Sequence, residues 1–95
     1  MADSDEKISK KIIITNKLGI HARPAGMIAG FALKAKSNVW LIKNGEKVDA
    51  SSIIDILTLA CSKGSIIRLK INDIEDHDIL NYIVELVKSG FGEQC

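Results

Sequence analysis

Residues 39–49 read VWLIKNGEKVD, and this stretch decides the fold. Asn44 and Gly45 stand between two segments of strand character, residues 39–42 and residues 46–49. Asn-Gly is the dipeptide that best tolerates the positive φ angles of a two-residue hairpin turn. The stretch therefore predicts a β-hairpin, and with it an antiparallel sheet.

Further elements lie on both sides of this hairpin. Residues 11–15 are apolar and β-branched, and residues 65–71 alternate, so each predicts a strand. Helical spacing of apolar residues begins at Pro24, again over residues 52–61, and most clearly before Lys88 and Gly90. The order β-α-β-β-α-β-α predicts an α+β fold in which helices cover one face of an antiparallel sheet.

Length and charge limit what the chain can do. Its 95 residues predict a single domain over residues 9–95, preceded by a flexible extension over residues 1–8. A net charge of +1 and an aromatic content of 4% argue against nucleic acid as a partner. The polar amino terminus shows no signal or membrane-spanning segment, so we expect a cytoplasmic protein that inserts into no membrane.

The two cysteines fit the same picture. Cys61 lies in the predicted helix over residues 52–61, and Cys95 is the last residue. Neither has the spacing of metal ligands or the density of a disulfide framework. We expect both thiols to be reduced, and we expect no metal and no cofactor.

Candidate chemistry concentrates in residues 19–25, GIHARPA. His21 stands just before a helix start, where the free N–H groups of Ala22 and Arg23 and the helix dipole favour an anion. Imidazole can attack phosphorus, and Arg23 would offer a planar, charged fork to the phosphate oxygens. Pro24 suits the first helical turn because its missing N–H is not needed there. Taken alone, the same residues fit a solvated capping loop equally well.

The whole chain resembles HPr, the histidine-containing phosphocarrier family of the bacterial phosphoenolpyruvate-dependent sugar phosphotransferase system. The resemblance runs from about residue 11 to residue 93. It rests on the segment NKLGIHARPA at residues 16–25, Asn44-Gly45, Ser52-Ile53-Ile54, Lys63-Gly64, and residues 88–90. Several motifs in register over nearly a whole domain carry more weight than one loop.

This resemblance implies a two-layer open-faced sandwich, with strand order 1-4-2-3 and three helices on one face. It implies that enzyme I phosphorylates His21 on Nδ1 and that the A components of sugar permeases receive the phosphate. The protein would be a carrier with a covalent phosphohistidine rather than a turnover enzyme, and we expect a monomer. A regulatory module, or a carrier of a nitrogen-related branch, is the alternative function.

The resemblance also implies a docking face built from the first two helices. Carried onto this chain, its members would be Met27, Lys34, Ile53, Ile54 and Leu57, although Ile53 and Leu57 also fit plain core packing. We give His77 no catalytic role.

Ser52 matches the serine that a dedicated kinase, HPr kinase/phosphorylase, modifies in many relatives, where a transcriptional regulator can be the partner. Ser52 and Asp55 also form a capping-box pattern, so Ser52 fits a purely structural role as well. Gly26, Ser51 and Asp55 depart from common family residues, and all three fall on the predicted docking face. The charge at Asp55 is expected to shift partner preference.

Overall fold

The computed structural model describes residues 7–93 and shows one four-stranded sheet with three helices. The strands are β1 (Ser9–Ile13), β2 (Val39–Lys43), β3 (Glu46–Asp49) and β4 (Ile66–Ile71). The helices are α1 (Ala22–Ala32), α2 (Ile53–Thr58) and α3 (His77–Lys88), with short 3-10 turns at Ile74–Asp76 and Gly90–Gly92. The strand order is β1-β4-β2-β3 and every pairing is antiparallel, which confirms the predicted fold class.

The hairpin between β2 and β3 forms as the Asn44-Gly45 pair predicts. Asn44 has φ 51° and Gly45 has φ 81°, so both residues lie in the left-handed region that a tight turn of this kind needs. Lys43 pairs with Glu46 directly across the turn. This register fixes which side chains of both strands face the helices.

Alternation along the strands separates an inner from an outer face of the sheet. The inner face and the helices together form the core, whose fully buried large side chains include Ile14, Ile28, Leu41, Ile56, Ile67, Leu69, Ile71, Leu80, Ile83 and Phe91. Burial of this apolar surface is the main stabilising contribution to such a domain. The core also holds the start of α1 in place, because Pro24 and Ala25 are buried.

Buried Asp76 fixes the chain that leaves α1. Its two carboxylate oxygens accept the backbone N–H groups of Lys36 and Ser37, at 2.8 and 3.0 Å. A buried carboxylate is tolerated when its oxygens are hydrogen-bonded in this way. Asp76, at the start of α3, therefore also joins that start to the loop after α1.

The first strand differs from its predicted bounds, since β1 covers Ser9–Ile13 rather than residues 11–15. Ladder pairing with β4 extends to Ser9, opposite Lys70, although the residues there are polar. The predicted extension over residues 1–8 falls mostly outside the described residues. Ile8, its last residue, is half-buried and packs against the core.

The prediction that Cys61 lies in a helix is wrong. Helix α2 ends at Thr58, because Leu59 is the C-cap and Ala60 has φ 50°. The Nζ of Lys43 donates to the carbonyl oxygens of Leu59 and Ala60, which satisfies the helix end without further turns. Cys61 is a free, buried thiol whose pKa is raised by burial, and Cys95 lies outside the described residues.

Candidate functional site

His21 is the N-cap residue of α1, with an extended backbone (φ −85°, ψ −169°) and a side chain that does not cap the helix. The N–H groups of Ala22 and Arg23 belong to the first turn, where no preceding helical carbonyl can accept them. Pro24 has no N–H, and that of Ala25 donates to the carbonyl oxygen of His21 at 3.0 Å. Two backbone donors next to the imidazole are thus available to an anion.

Gly19 positions the loop that leads to His21. It has φ +66°, and a Cβ at this position would overlap the carbonyl oxygen of Cys61. The N–H of Ile20 donates to that same oxygen at 2.8 Å, and the N–H of His21 donates to the carbonyl of Gly19 at 3.1 Å. Only glycine combines this backbone conformation with such a close approach. The loop is therefore held rigidly against the segment after α2.

Glu93 reaches the site from the other end of the chain. Its Oε2 lies 2.7 Å from Nε2 of His21, whose side chain is 36% exposed, whereas that of Glu93 is 16% exposed. Because a carboxylate oxygen accepts hydrogen bonds, this contact places a proton on Nε2. The Nδ1 atom makes no hydrogen bond to any of residues 7–93.

Arg23 joins the same carboxylate. Its Nη2 lies 2.6 Å from Oε2 of Glu93 and also donates to the carbonyl oxygen of Phe91 at 3.2 Å. Its Nη1 lies 3.4 Å from the Sδ of Met27. The guanidinium is half exposed and sits beside the imidazole, so its fork is accessible to an incoming anion.

Asn16 holds the other carboxylate oxygen of Glu93. The side chain is fully buried, and its Nδ2 donates to Oε1 of Glu93 at 3.0 Å and to the carbonyl of Gly19 at 2.7 Å. The Asn16 hydrogen bond has the largest effect on the pKa of Glu93, and it is opposed by burial; with the further hydrogen bonds from Arg23 and His21, the pKa falls to about 2. Glu93 therefore remains ionised, and its charge stays next to His21 and Arg23 at neutral pH.

The arrangement has a direct chemical consequence. One carboxylate oxygen of Glu93 engages both the imidazole and the guanidinium. A phosphoryl group on Nδ1 of His21 would bring more negative charge and three acceptor oxygens to the same guanidinium. Glu93 therefore occupies part of an anion site and would have to give up Arg23 when a phosphoryl group arrives.

Of the predicted docking residues, Met27 lies on α1 and Ile53, Ile54 and Leu57 lie on α2, which packs against α1, whereas Lys34 follows the end of α1. Ile54 is 75% exposed, Ile53 and Leu57 are exposed, and Met27 is half-buried, so none of them is plain core. Ile56 fills the core position of α2 instead. Lys34 is exposed, with its Nζ 5.6 Å from the centre of the Phe31 ring. Two exposed leucines, Leu18 and Leu33, were missed because the apolar pattern alone does not separate surface from core.

Ser52 caps α2. Its Oγ accepts the backbone N–H of Asp55 at 3.2 Å, which confirms the predicted cap. Ser52 is half-buried, and the neighbouring Ser51 donates its hydroxyl and its N–H to the carboxylate of Asp49. Ser52 thus caps α2 directly before the exposed Ile53 and Ile54, two of the predicted docking residues.

The sequence does not predict two residues of the site, Glu93 and Asn16. Glu93 is 72 residues from His21, and Asn16 belongs to the segment at residues 16–25 but carries no predicted role. The signal for Glu93 is the turn before it, where Gly90, Phe91 and Gly92 all have positive φ. Three such residues in succession reverse the chain after α3 and carry Glu93 back to the start of α1.

The fold and site define a class of small proteins that carry a phosphate. The solved structure of HPr-C-His from Thermoanaerobacter tengcongensis matches with a TM-score of 0.83 and 36% identity, covering 92% of this chain and 98% of that one. The phosphocarrier protein HPr from Bacillus anthracis matches with a TM-score of 0.78 and 28% identity, covering 84% and 95%. The strand order and the helices on one face are thus those of HPr structures.

Sequence comparison gives the family. Residues 8–89 match the family model described as the PTS HPr component phosphorylation site. The phosphocarrier protein HPr of Xylella fastidiosa is 35% identical over 86 residues, which are 90% of this chain and 97% of the relative. That of Chlamydia pneumoniae is 36% identical over 91 residues, 96% of this chain and 84% of the relative. The chain belongs to the HPr family of phosphocarrier proteins of the phosphotransferase system.

Two further observations concern metals and membranes. Within residues 7–93, the His, Cys, Asp and Glu side chains form no group of three or more that could hold a metal ion. No helix in that part of the chain has the length and apolar character needed to cross a membrane.

Proposed function

We propose that this protein accepts a phosphoryl group from phospho-enzyme I on Nδ1 of His21 and donates it to the A components of sugar permeases. The observation that carries the proposal is the contact between Nε2 of His21 and the carboxylate of Glu93. It favours the tautomer with the proton on Nε2, so the lone pair on Nδ1 is free to attack phosphorus. The bond between enzyme I and phosphorus breaks as the Nδ1–P bond of His21 forms. In the second transfer the Nδ1–P bond breaks, its electron pair returns to Nδ1, and the A component forms its own bond to phosphorus.

Arg23 and the start of α1 would stabilise the transferred group. As the phosphoryl oxygens arrive, the guanidinium of Arg23 exchanges the carboxylate of Glu93 for them, and the N–H groups of Ala22 and Arg23 supply further donors. No other chemistry is required of this chain. It acts as a carrier with a covalent intermediate, and the larger partners supply the rest of each active site.

The partners would dock on Met27, Ile53, Ile54 and Leu57, with Lys34, just beyond the end of α1, supplying charge. Exposed apolar side chains rimmed by the charges of Arg23 and Lys34 suit a transient protein interface. A monomer in the cytoplasm would meet these partners by diffusion. Among the structural neighbours, Crh from Bacillus subtilis is a swapped dimer, so the monomeric state is part of the proposal.

Ser52 would be a regulatory phosphorylation site for HPr kinase/phosphorylase, and a transcriptional regulator would recognise the modified form. The hydroxyl already lies at a helix start, where a phosphate meets free N–H groups and a favourable dipole. A purely regulatory function through Ser52 is the second candidate, because the neighbours include a protein named for catabolite repression. His21 and Arg23, held together by Glu93, favour the carrier.

A relay assay tests the proposal. The protein is first incubated with phosphoenolpyruvate and enzyme I, and a purified A component is then added. The carrier function predicts that the label appears on this protein and then moves to the A component as it leaves the carrier. A protein that enzyme I does not label would instead favour the regulatory candidate, and a protein that is labelled but cannot pass the label on would contradict the proposed transfer to A components.

A further inference from the structure

The outer face of the sheet carries a cluster of positive charges. The ladder places two rows of side chains there, Ser9–Lys70–Trp40–Asp49 and Lys11–Arg68–Ile42–Lys47. These rows hold four cations and one carboxylate, that of Asp49, which already accepts two hydrogen bonds from Ser51. The chain as a whole has a net charge of only +1, whereas this face carries four cations against a single carboxylate.

The positions of these cations do not stabilise the sheet. Lys11 and Arg68 are direct cross-strand partners, and both are exposed. Like charges directly opposite each other destabilise a sheet. None of the four cations makes an ion pair within residues 7–93, and Arg68 donates only to the hydroxyl of Ser9, at 2.9 Å. An anionic partner would relieve this repulsion.

Apolar surface lies next to these charges. Ile13 and Ile66 are cross-strand partners and are 54% and 53% exposed. Lys11, Ile42, Ile66 and Arg68 line a shallow depression of about 320 Å³ at this end of the face. Apolar patches flanked by unpaired charge are typical of protein interaction sites.

We infer that the outer face of the sheet is a second docking surface, which binds an acidic segment of a partner protein. Carboxylates of the partner would pair with Lys11, Arg68 and Lys70, while its apolar side chains would cover Ile13 and Ile66. The helices separate this face from the docking residues at the start of α1. A partner bound here leaves His21 accessible, and the inference does not depend on the proposed phosphotransfer.

Two observations favour a protein over a nucleic acid as the occupant. Trp40 offers no free stacking platform, because the Nζ of Lys47 lies 4.6 Å from the centre of its ring and its Nε1 donates to Asn72. The exposed isoleucines also have no role in binding a phosphate backbone, which needs cations alone.

The inference is tested by titrating the full chain with acetylated, amidated hexaglutamate at low ionic strength. Amide NMR shifts are recorded at each step of the titration. We expect shifts at Lys11, Arg68 and Lys70, and none at Met27 or Leu57. The double variant Lys11→Gln/Arg68→Gln should bind the peptide about fivefold more weakly or worse, since two ion pairs are lost. The matched control Lys63→Gln/Lys88→Gln removes the same charge from exposed sites elsewhere and should bind as the parent does.

Four results would overturn the inference, the last two of which concern other occupants of the face. The first is peptide shifts centred on Arg23 and α1, and the second is equal affinity of the two double variants. The third is tighter binding of oligouridylate at the same amides, which would assign the face to nucleic acid. For the fourth, the triple variant Asp3→Asn/Asp5→Asn/Glu6→Gln is compared with the parent in the absence of peptide. A change in the amide shifts of the outer sheet face would assign this face to the chain's own amino terminus. Peptide binding should survive in His21→Ala, which separates this test from that of the carrier function.

Discussion

Nε2 of His21 and Oε2 of Glu93 lie 2.7 Å apart, although 72 residues separate them in the sequence. The same oxygen lies 2.6 Å from Nη2 of Arg23, and Asn16 holds the other carboxylate oxygen. The carboxylate thus stands among the donors that a phosphoryl group would use. In the proposed transfer it would orient the imidazole beforehand and compete with the phosphoryl group afterwards.

Replacing Glu93 separates these two effects. In Glu93→Gln the amide oxygen can still accept the proton of Nε2, but the negative charge is lost. We expect the phosphorylated fraction at equilibrium with enzyme I, phosphoenolpyruvate and pyruvate to rise, with the ratio of phosphorylated to unphosphorylated protein increasing about fivefold, because the carboxylate no longer competes with the phosphoryl group for Arg23. Quantitative mass spectrometry measures this fraction. Glu85→Gln, on the exposed side of α3, removes the same charge and should leave it unchanged.

Glu93 also gives the stability a definite pH dependence. Its pKa is lowered from 4.5 to about 2 in the folded protein, so its contribution is fully present above pH 4.5 and is lost as pH falls towards 2. The difference in free energy of unfolding between the parent and Glu93→Gln should be constant from pH 7 to about 4.5 and shrink below it. Urea unfolding of both proteins over this range measures the difference. A difference that stays constant down to pH 2 would contradict the depressed pKa.

Local signals predicted most of the fold, and they failed where tertiary contacts decide. Asn44-Gly45 fixed the hairpin because the turn depends on those two residues alone. The end of α2 could not be read locally, since Lys43 of a neighbouring strand satisfies its last carbonyls. The role of Glu93 could not be predicted from local sequence for the same reason. Its role arises from a turn of three positive-φ residues that returns the chain to α1, and no periodicity signals that return.

Arg23 is expected to act on transfer and to matter little for stability. Its side chain is 53% exposed, and it contacts the site through the fork of its guanidinium. Arg23→Lys keeps the charge and loses the fork, so the rate of phosphotransfer from enzyme I should fall about tenfold or more. The melting temperature should change by no more than a few degrees, roughly what a surface substitution causes. Lys63→Arg, in a turn away from the site, is the control and should alter neither quantity.

A negative charge at Ser52 should impair docking and leave the fold intact. In Ser52→Asp the carboxylate can still cap α2, but it adds charge beside the exposed Ile53 and Ile54. Transfer from enzyme I should slow, while circular dichroism and melting temperature stay close to those of the parent. Ser52→Asn caps equally well without charge and should transfer at the parent rate. Collapse of the fold in Ser52→Asp, or parent-like transfer at low ionic strength, would refute the electrostatic explanation.

The central claim is that His21 is the phosphate acceptor, and the chain supplies its own control in its second histidine, His77. Incubation with phosphoenolpyruvate and enzyme I, followed by intact-mass analysis, should show one acid-labile phosphoryl group on the parent and on His77→Ala. His21→Ala should stay folded, since this side chain is exposed and caps nothing, and should gain no phosphoryl group. Undiminished phosphorylation of His21→Ala, or its loss in His77→Ala, would show that the assignment of His21 is wrong.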